Sequence, residues 1–124
     1  MKVLLDTHAL LWWTTDDDRL SAAARAIIEG SDVVVSVASL WEVEIKRGLG
    51  RIALDTEELV REVANTAGFQ LLDLRPTHVL SLAQLPGHHR DPFDRMLIAQ
   101  AVRERLALVT RDNEIRKYPV AVHW

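Results

Sequence analysis

The sequence predicts a three-layer α/β/α domain, with helices on both faces of a mostly parallel sheet of about five strands. Short, continuously apolar runs alternate with longer helical patterns from one end of the chain to the other. Polar residues directly follow several of these runs, as is typical where buried parallel strands end. No internal repeat, linker or low-complexity segment interrupts the pattern, so the 124 residues are expected to form one domain, 1–124.

The first half of the chain is predicted to contain two strands and three helices. The opening apolar run ends at Asp6, which predicts a buried strand with a polar residue at its carboxyl end. The acidic triplet 16–18 is interpreted as a solvated turn, because Ser21 is a suitable cap for the next helix and Gly30 ends that helix. The predicted elements are a strand at 3–5, a helix at 8–13, a helix from the Ser21 cap to 29, a strand at 32–36 and a helix at about 37–47.

The second half is predicted to contain three helices and three strands. Asp55 and Glu58 have the spacing of a capping box, and Gly68 ends the helix that they open. Asp91 followed by Pro92 is a strong signal for a helix start, because Asp caps free amides and Pro suits the first helical position. The other predicted elements are a strand at 69–74, a short helix at 75–83, the helix running from Pro92 to about 105, a strand at 106–110 and a final strand at 119–122.

Composition excludes several classes of protein. The chain has no cysteine, which excludes a disulfide scaffold and a thiolate zinc site. Its first residues become polar too soon for a signal peptide, and no apolar run approaches membrane-spanning length, so we expect a soluble, cytoplasmic protein without membrane contact. The formal net charge of −3 indicates no global affinity for nucleic acid, although it leaves local binding open.

The join between the loop at 88–90 and the following helix carries two acids with two possible meanings. Asp91 at the cap and Asp94 in the first turn are typical of an ordinary helix N-terminus. Asp94 also lies where the helix dipole favours negative charge, which suits a metal ligand. The functional interpretation depends on whether other acids reach the same place.

Parallel topology predicts that they do. Asp6 and Asp112 terminate strands, Asp94 opens a helix and Glu42 lies on the helix after the second strand, so all four meet one edge of the sheet. Four carboxylates repel one another and lose hydration, so such a cluster implies divalent cations or protonated members. Hard oxygen ligands favour magnesium or manganese over zinc. The alternative for Glu42 is a surface pair with Lys46 one turn along the helix.

The motifs Leu-Leu-Asp6-Thr7-His8, Ser39-Leu40-Trp41-Glu42, His89-Arg90-Asp91-Pro92-Phe93-Asp94-Arg95 and Val109-Thr110-Arg111-Asp112 together resemble the PIN-domain family, and within it the VapC-type toxins. The resemblance covers essentially the whole chain. It implies a Mg²⁺-dependent endoribonuclease, with Mn²⁺ as a substitute, that is inhibited by a VapB-type antitoxin and forms a homodimer. Asp6, Glu42, Asp94 and Asp112 match the family's acidic quartet, Asp91 matches a recurrent neighbouring acid, and Glu44 does not match.

Several further side chains are open to two interpretations. Asp91, Arg95 and Thr110 are predicted to support the site or contact substrate, and Arg95 either meets a phosphate or balances the acids. The remaining candidates are basic residues that are either RNA contacts or surface charges, histidines that are either proton carriers or bystanders, and tryptophans that are read as core or interface anchors: Lys46, Arg47, Arg51, Arg90, Arg111; His8, His88, His89; Trp12, Trp13, Trp41.

Two other functions compete with the nuclease. A catalytically silent module of the same fold would bind RNA or a partner without turnover. A receiver-like phosphorylation domain also carries acids at strand ends, but it expects paired acids after the first strand, where this chain has Asp6 followed by Thr7.

Overall fold

Strand β1 (Lys2–Leu5) lies at the centre of a parallel sheet whose order is β3-β2-β1-β4-β5. The computed structural model describes residues 1–89 and 91–124. Every pair of neighbouring strands is parallel, with Val3 opposite Val33 on one side and Ala107 on the other. The other strands are β2 (Asp32–Ser36), β3 (Phe69–Leu72), β4 (Ala107–Val109) and β5 (Val122–His123), of which β3 and β5 are the edges.

Six α-helices in the described ranges connect these strands: α1 (Thr7–Thr14), α2 (Ala22–Glu29), α3 (Val37–Gly48), α4 (Thr56–Asn65), α5 (Pro76–Leu82) and α6 (Pro92–Glu104). Their starts follow the caps that the sequence predicts, since Ser21 accepts a hydrogen bond from the amide of Ala24 and Asp55 from that of Glu57. The predicted α/β class and the parallel sheet are confirmed.

Alternating side chains of the strands build a core on each face of the sheet. Val3 and Leu5 pack with α1, α2 and α4 on one face, whereas Leu4 packs with α6 and Leu108 on the other. Successive residues of a strand point to opposite faces, so a strand covered on both sides must be apolar at every position. This explains the continuous apolar run at 3–5 and confirms helices on both sides of the sheet.

The last part of the chain departs from the prediction in two places. The final strand is Val122–His123 rather than 119–122, because Pro119 has no amide to donate and the ladder with β4 begins only at Ala121, whose carbonyl accepts from Leu108. A 3₁₀ helix, Asn113–Lys117, follows β4 and is capped by Asp112. The sequence pattern did not predict this short helix.

A buried polar network fixes α6 against the sheet. Gln100 is fully buried and accepts a hydrogen bond from Ser36, while its amide donates to the carbonyl of Asp73 and to His78. The buried ring of His78 also contacts Glu104, at 2.8 Å. These bonds hold the helix that carries Asp94 at the carboxyl edge of β2.

Within residues 1–89 and 91–124, no helix combines the length and apolar character needed to cross a membrane.

Candidate active site

Asp6 joins the end of β1 to the start of α1. Its side chain caps α1, accepting from the amide of Ala9 at 2.7 Å, and Thr110 at the end of β4 also hydrogen-bonds to it. Burial raises the pKa of Asp6, and these two hydrogen bonds oppose the rise only in part. A carboxylate this deeply buried is costly unless a cation compensates its charge.

Glu42 projects from the middle of α3 and is buried, unlike Glu44 on the same helix. Its Oε2 pairs with Lys46 at 3.0 Å, so the pair with Lys46 one turn along the helix is present on a buried glutamate. Its Oε1 is buried and has no hydrogen-bond partner among the described residues. Glu44 instead pairs with Arg47 and accepts from Thr56 at the surface. Residues two apart on a helix point in roughly opposite directions, so Glu42 and Glu44 are not expected to reach the same site.

Asp91 and Asp94 perform different tasks at the start of α6. Asp91 is the cap, and its Oδ1 accepts from the amides of Phe93 at 2.8 Å and of Asp94 at 3.0 Å. The side chain of Asp94 is left free to face the other acids. Burial, followed by the charge of Asp91 and, more weakly, those of Asp6 and Glu42, raises the pKa of Asp94 to about 7. The predicted helix cap is therefore Asp91, and Asp94 is the acid of this turn whose pKa burial and the surrounding acids raise.

His89 bridges the two remaining acids. Its Nε2 lies 2.8 Å from Oδ2 of Asp112 and 3.2 Å from Oδ2 of Asp94. Its Nδ1 accepts from the amide of Asp91 at 3.2 Å, so Nε2 carries the ring proton and donates to the carboxylates. The ligand atoms of His89, Asp94 and Asp112 all lie within 4.8 Å of one another. His8, His88 and His89 are the three candidates in the sequence, and no local pattern indicates which of them reaches the acids.

The donor set fits a divalent cation. Glu42 presents a buried oxygen with no hydrogen-bond partner among the described residues, and burial together with the neighbouring acids raises the pKa of Asp94 to about 7, so the site favours added positive charge. Carboxylate oxygens are the ligands that hard cations such as magnesium and manganese take. Asp6, Glu42 and Asp94 interact through their charges, while Asp94 and Asp112 meet at His89.

Comparison with known proteins places the chain in a family. Residues 3–121 of this chain match the family model of the PIN domain. This chain belongs to the PIN-domain family. Ribonuclease VapC22 of Mycobacterium tuberculosis is 33% identical over 122 residues, which cover 94% of this chain and 91% of that protein. The resemblance drawn from the motifs is thereby confirmed.

Solved structures of low sequence identity share the same PIN fold. VapBC2 from Rickettsia felis, bound to a DNA fragment from its promoter, has 13% identity and a TM-score of 0.69, covering 99% of this chain and 98% of that one. VapBC from Salmonella typhimurium bound to DNA has 19% identity and a TM-score of 0.68, covering 99% and 97%. A toxin–antitoxin complex from Klebsiella pneumoniae has 16% identity and a TM-score of 0.69, covering 98% and 96%.

Arg95 does not face the acids of this PIN domain. Its guanidinium donates to the carbonyls of Pro86 and Leu82 and to the hydroxyl of Tyr118. It therefore ties the loop after α5 to α6, where the sequence had suggested a contact to phosphate or a charge that balances the acids. The hydroxyl of Thr110 contacts Asp6 and accepts a hydrogen bond from the amide of Asp112, so Thr110 lies between two of the predicted acids.

The tryptophans and histidines considered in the sequence analysis differ in burial and in the residues that they contact. Trp12 is buried, whereas Trp41 is 57% exposed and touches Phe93 edge-on. His8 stacks on Trp12, and His88 lies edge-on against Tyr118. Arg90, predicted as an RNA contact, lies outside the described residues.

Proposed function

We propose that this PIN domain is a metal-dependent endoribonuclease and the toxin of a toxin–antitoxin pair. Asp6, Glu42, Asp94 and Asp112 are its metal-binding and catalytic residues. The observation that carries the proposal is the convergence of buried acids at Asp94: burial, and then the charges of Asp91, Asp6 and Glu42, raise the pKa of Asp94 to about 7, and Oε1 of Glu42 is buried without a hydrogen-bond partner among the described residues. The relationship to Ribonuclease VapC22 supports RNA as the substrate.

A bound cation in such a site lowers the pKa of its water and stabilises charge on the phosphoryl oxygens. The chain's own residues prepare the site for this. Burial and the neighbouring acids raise the pKa of Asp94 to about 7, and a bound cation would favour its ionised form. Lys46 orients Glu42 through Oε2 and leaves Oε1 directed inward, and Asp91 keeps Asp94 in position through the helix cap.

We assign Mg²⁺ as the physiological ion, with Mn²⁺ as a substitute. All four proposed ligands are carboxylates, which suit both ions, and Mg²⁺ keeps several waters and completes its shell with substrate phosphate. The protein side chains of this site supply only part of a coordination shell, as is usual for Mg²⁺. Calorimetry with each ion, on the metal-free protein, tests the assignment directly, and an absence of binding for both ions would contradict it.

The proposal extends to assembly and location. Structural neighbours are toxin–antitoxin complexes, which supports a VapB-type antitoxin as the partner of this chain. The exposed apolar residues Trp41, Ile45 and Leu49 on α3 and just after it support a homodimer. We further propose that residues 1–124 act as one domain, since all the proposed ligands belong to strand ends and helices of a single sheet, and that the protein works in the cytoplasm.

Two glutamates on α3 provide a matched test of the nuclease. Glu42→Gln removes a buried proposed ligand, whereas Glu44→Gln removes a surface acid on the same helix. On single-stranded RNA with Mg²⁺, we expect Glu42→Gln to lose cleavage by at least about a hundredfold and Glu44→Gln to retain it. Chelation of the metal should abolish wild-type cleavage. Equal activity of both variants would refute the assigned site, and RNA binding without turnover by the wild type would identify a silent binding module.

A further inference from the structure

A cationic cavity lies beside the candidate active site. Its volume is about 410 Å³, and Arg19, Lys46, Arg51, His8 and Trp12 contribute to its lining. None of the lining residues is an acid, although the whole chain has a formal net charge of −3. We call this depression the Trp12 cavity. Its charge is opposite to that of the neighbouring carboxylate cluster.

Aromatic support fixes the positive groups around this cavity. The guanidinium of Arg111 lies 4.6 Å from the ring centroid of Trp12, and that of Arg19 lies 5.1 Å from it. The ring of His8 stacks on the same indole at 5.4 Å. Cations held on an aromatic face lose less conformational freedom on binding than free side chains do. Since these groups cover the indole, it is not available for a base to stack on, and the cavity is suited to a phosphate.

The three permanent cations of the lining differ in how much of their charge is already paired. Lys46 pairs with Glu42 at 3.0 Å. Arg19 binds Asp17 through Nε and Nη2, which leaves Nη1 for another acceptor. Arg51 has no carboxylate within 4.0 Å among the residues that the structure describes. Arg51 is therefore the clearest probe of the cavity, because its removal disturbs no ion pair in the described part of the chain.

The cavity is connected to the proposed reaction site through two side chains. Lys46 lines the cavity and pairs with Glu42 at 3.0 Å, and His8, which also lines the cavity, follows Asp6 by two residues. A strand whose scissile phosphate lies at the carboxylates therefore passes directly to the Trp12 cavity. The positive charge of the Trp12 cavity, its position beside the carboxylates and the covered face of the Trp12 indole all favour the backbone of a nucleic acid strand as the ligand.

We propose that the Trp12 cavity binds a backbone phosphate of the RNA strand adjacent to the scissile phosphodiester, with Arg51 and Nη1 of Arg19 as contacts. This inference rests on the proposed nuclease function. It adds a subsite that is independent of base identity, because phosphate contacts position a strand without reading its sequence.

Binding of a fluorescent single-stranded RNA at several salt concentrations tests the subsite without cleavage. The measurements use Asp94→Asn as the parent at constant Mg²⁺. Adding Arg51→Ala should weaken binding about tenfold at low salt and make the slope of log K against log salt less negative by about 0.7, the value for one phosphate contact on a single strand. Arg61→Ala, an exposed arginine of α4, is the matched control and should change neither quantity. An unchanged affinity and slope in Arg51→Ala would overturn the proposal.

Cleavage assays on proteins that retain Asp94 distinguish a failure of the subsite from a failure of the proposed nuclease function. The ratio of kcat/KM for a longer RNA to kcat/KM for a dinucleoside monophosphate should fall about fivefold in Arg51→Ala, because only the longer strand reaches the cavity. A wild type that cleaves nothing would refute the proposed function, while the salt slope would still test the cavity. If Arg51→Ala keeps its RNA affinity but loses capture of a co-expressed antitoxin, the cavity binds protein and the RNA proposal is wrong.

Discussion

Replacing Asp94 by Asn should stabilise the metal-free protein at alkaline pH. The folded-state pKa of Asp94 is raised from 3.8 to about 7, so the folded chain holds a proton that the unfolded chain has lost. The corresponding stability is fully present below about pH 4 and is lost as the pH rises through about 7. Asn is uncharged at every pH and still offers an oxygen to His89, so the variant avoids this loss.

The pKa of Asp94 sets the size of the effect. A rise from 3.8 to about 7 corresponds to at most about 4 kcal/mol, at about 1.4 kcal/mol for each tenfold change in proton affinity. The Asp94 side chain is 24% exposed, so water screens part of this, and we take about 2 kcal/mol as the expected gain. For a domain of this length that gain raises Tm by roughly 8 °C.

Thermal unfolding followed by circular dichroism in chelator measures this gain. At about pH 8 the Tm of Asp94→Asn should exceed that of the wild type, and the difference should shrink as the pH falls until the two nearly coincide at about pH 4. Saturating Mg²⁺ should raise the wild-type Tm and leave the variant almost unchanged. Glu44→Gln is the control, because its partners Arg47 and Thr56 hold the pKa of Glu44 at about 2 and neutralising it removes a favourable charge. Equal wild-type and Asp94→Asn Tm values at about pH 8 would refute the reasoning.

Three further predictions concern the metal, the core and assembly. His89→Ala should bind Mn²⁺ about three- to tenfold more tightly in calorimetry, because the imidazole N–H lies between two proposed ligands; weaker binding would instead make His89 a ligand. Gln100→Leu should lower the free energy of unfolding by about 1–3 kcal/mol in urea titration, since Ser36 and the carbonyl of Asp73 lose a buried partner, and an unchanged midpoint would contradict this. Trp41→Ser should shift a wild-type dimer toward monomer in light scattering, and an intact dimer would exclude this face.

Short-range features of the sequence determined where the acids lie relative to the strands and helices. Asp91 and Pro92 open α6 as their types predict, so Asp94 falls in the first turn. The apolar run of β1 ends at Asp6, and the run of β4 is followed within three residues by Asp112. These features depend on capping and on hydrophobic pattern, both of which act over a few residues and are therefore legible in one chain.

Loop and surface geometry depended on contacts that local patterns do not specify. Arg95 faces backbone carbonyls and Tyr118, and His89 crosses to Asp112 because a distant hydroxyl, that of Tyr118, accepts from its amide. The final strand begins after Pro119 rather than at it, since pairing with β4 decides which amides are used. No periodicity links residues so far apart in sequence.

The sequence by itself determined the α/β class and the parallel sheet, because strand and helix periods and helix caps are properties of neighbouring residues, and its motifs, through their resemblance to the PIN-domain family, indicated which four acids to propose as the site. Only the tertiary structure decided that Glu42 keeps one buried oxygen without a partner among the described residues, and that His89 lies between Asp94 and Asp112. It also decided that cations gather around Trp12 beside the acids. Burial and charge coupling arise from the packing of distant segments, and they set the pKa of Asp94 and the sign of the adjoining surface.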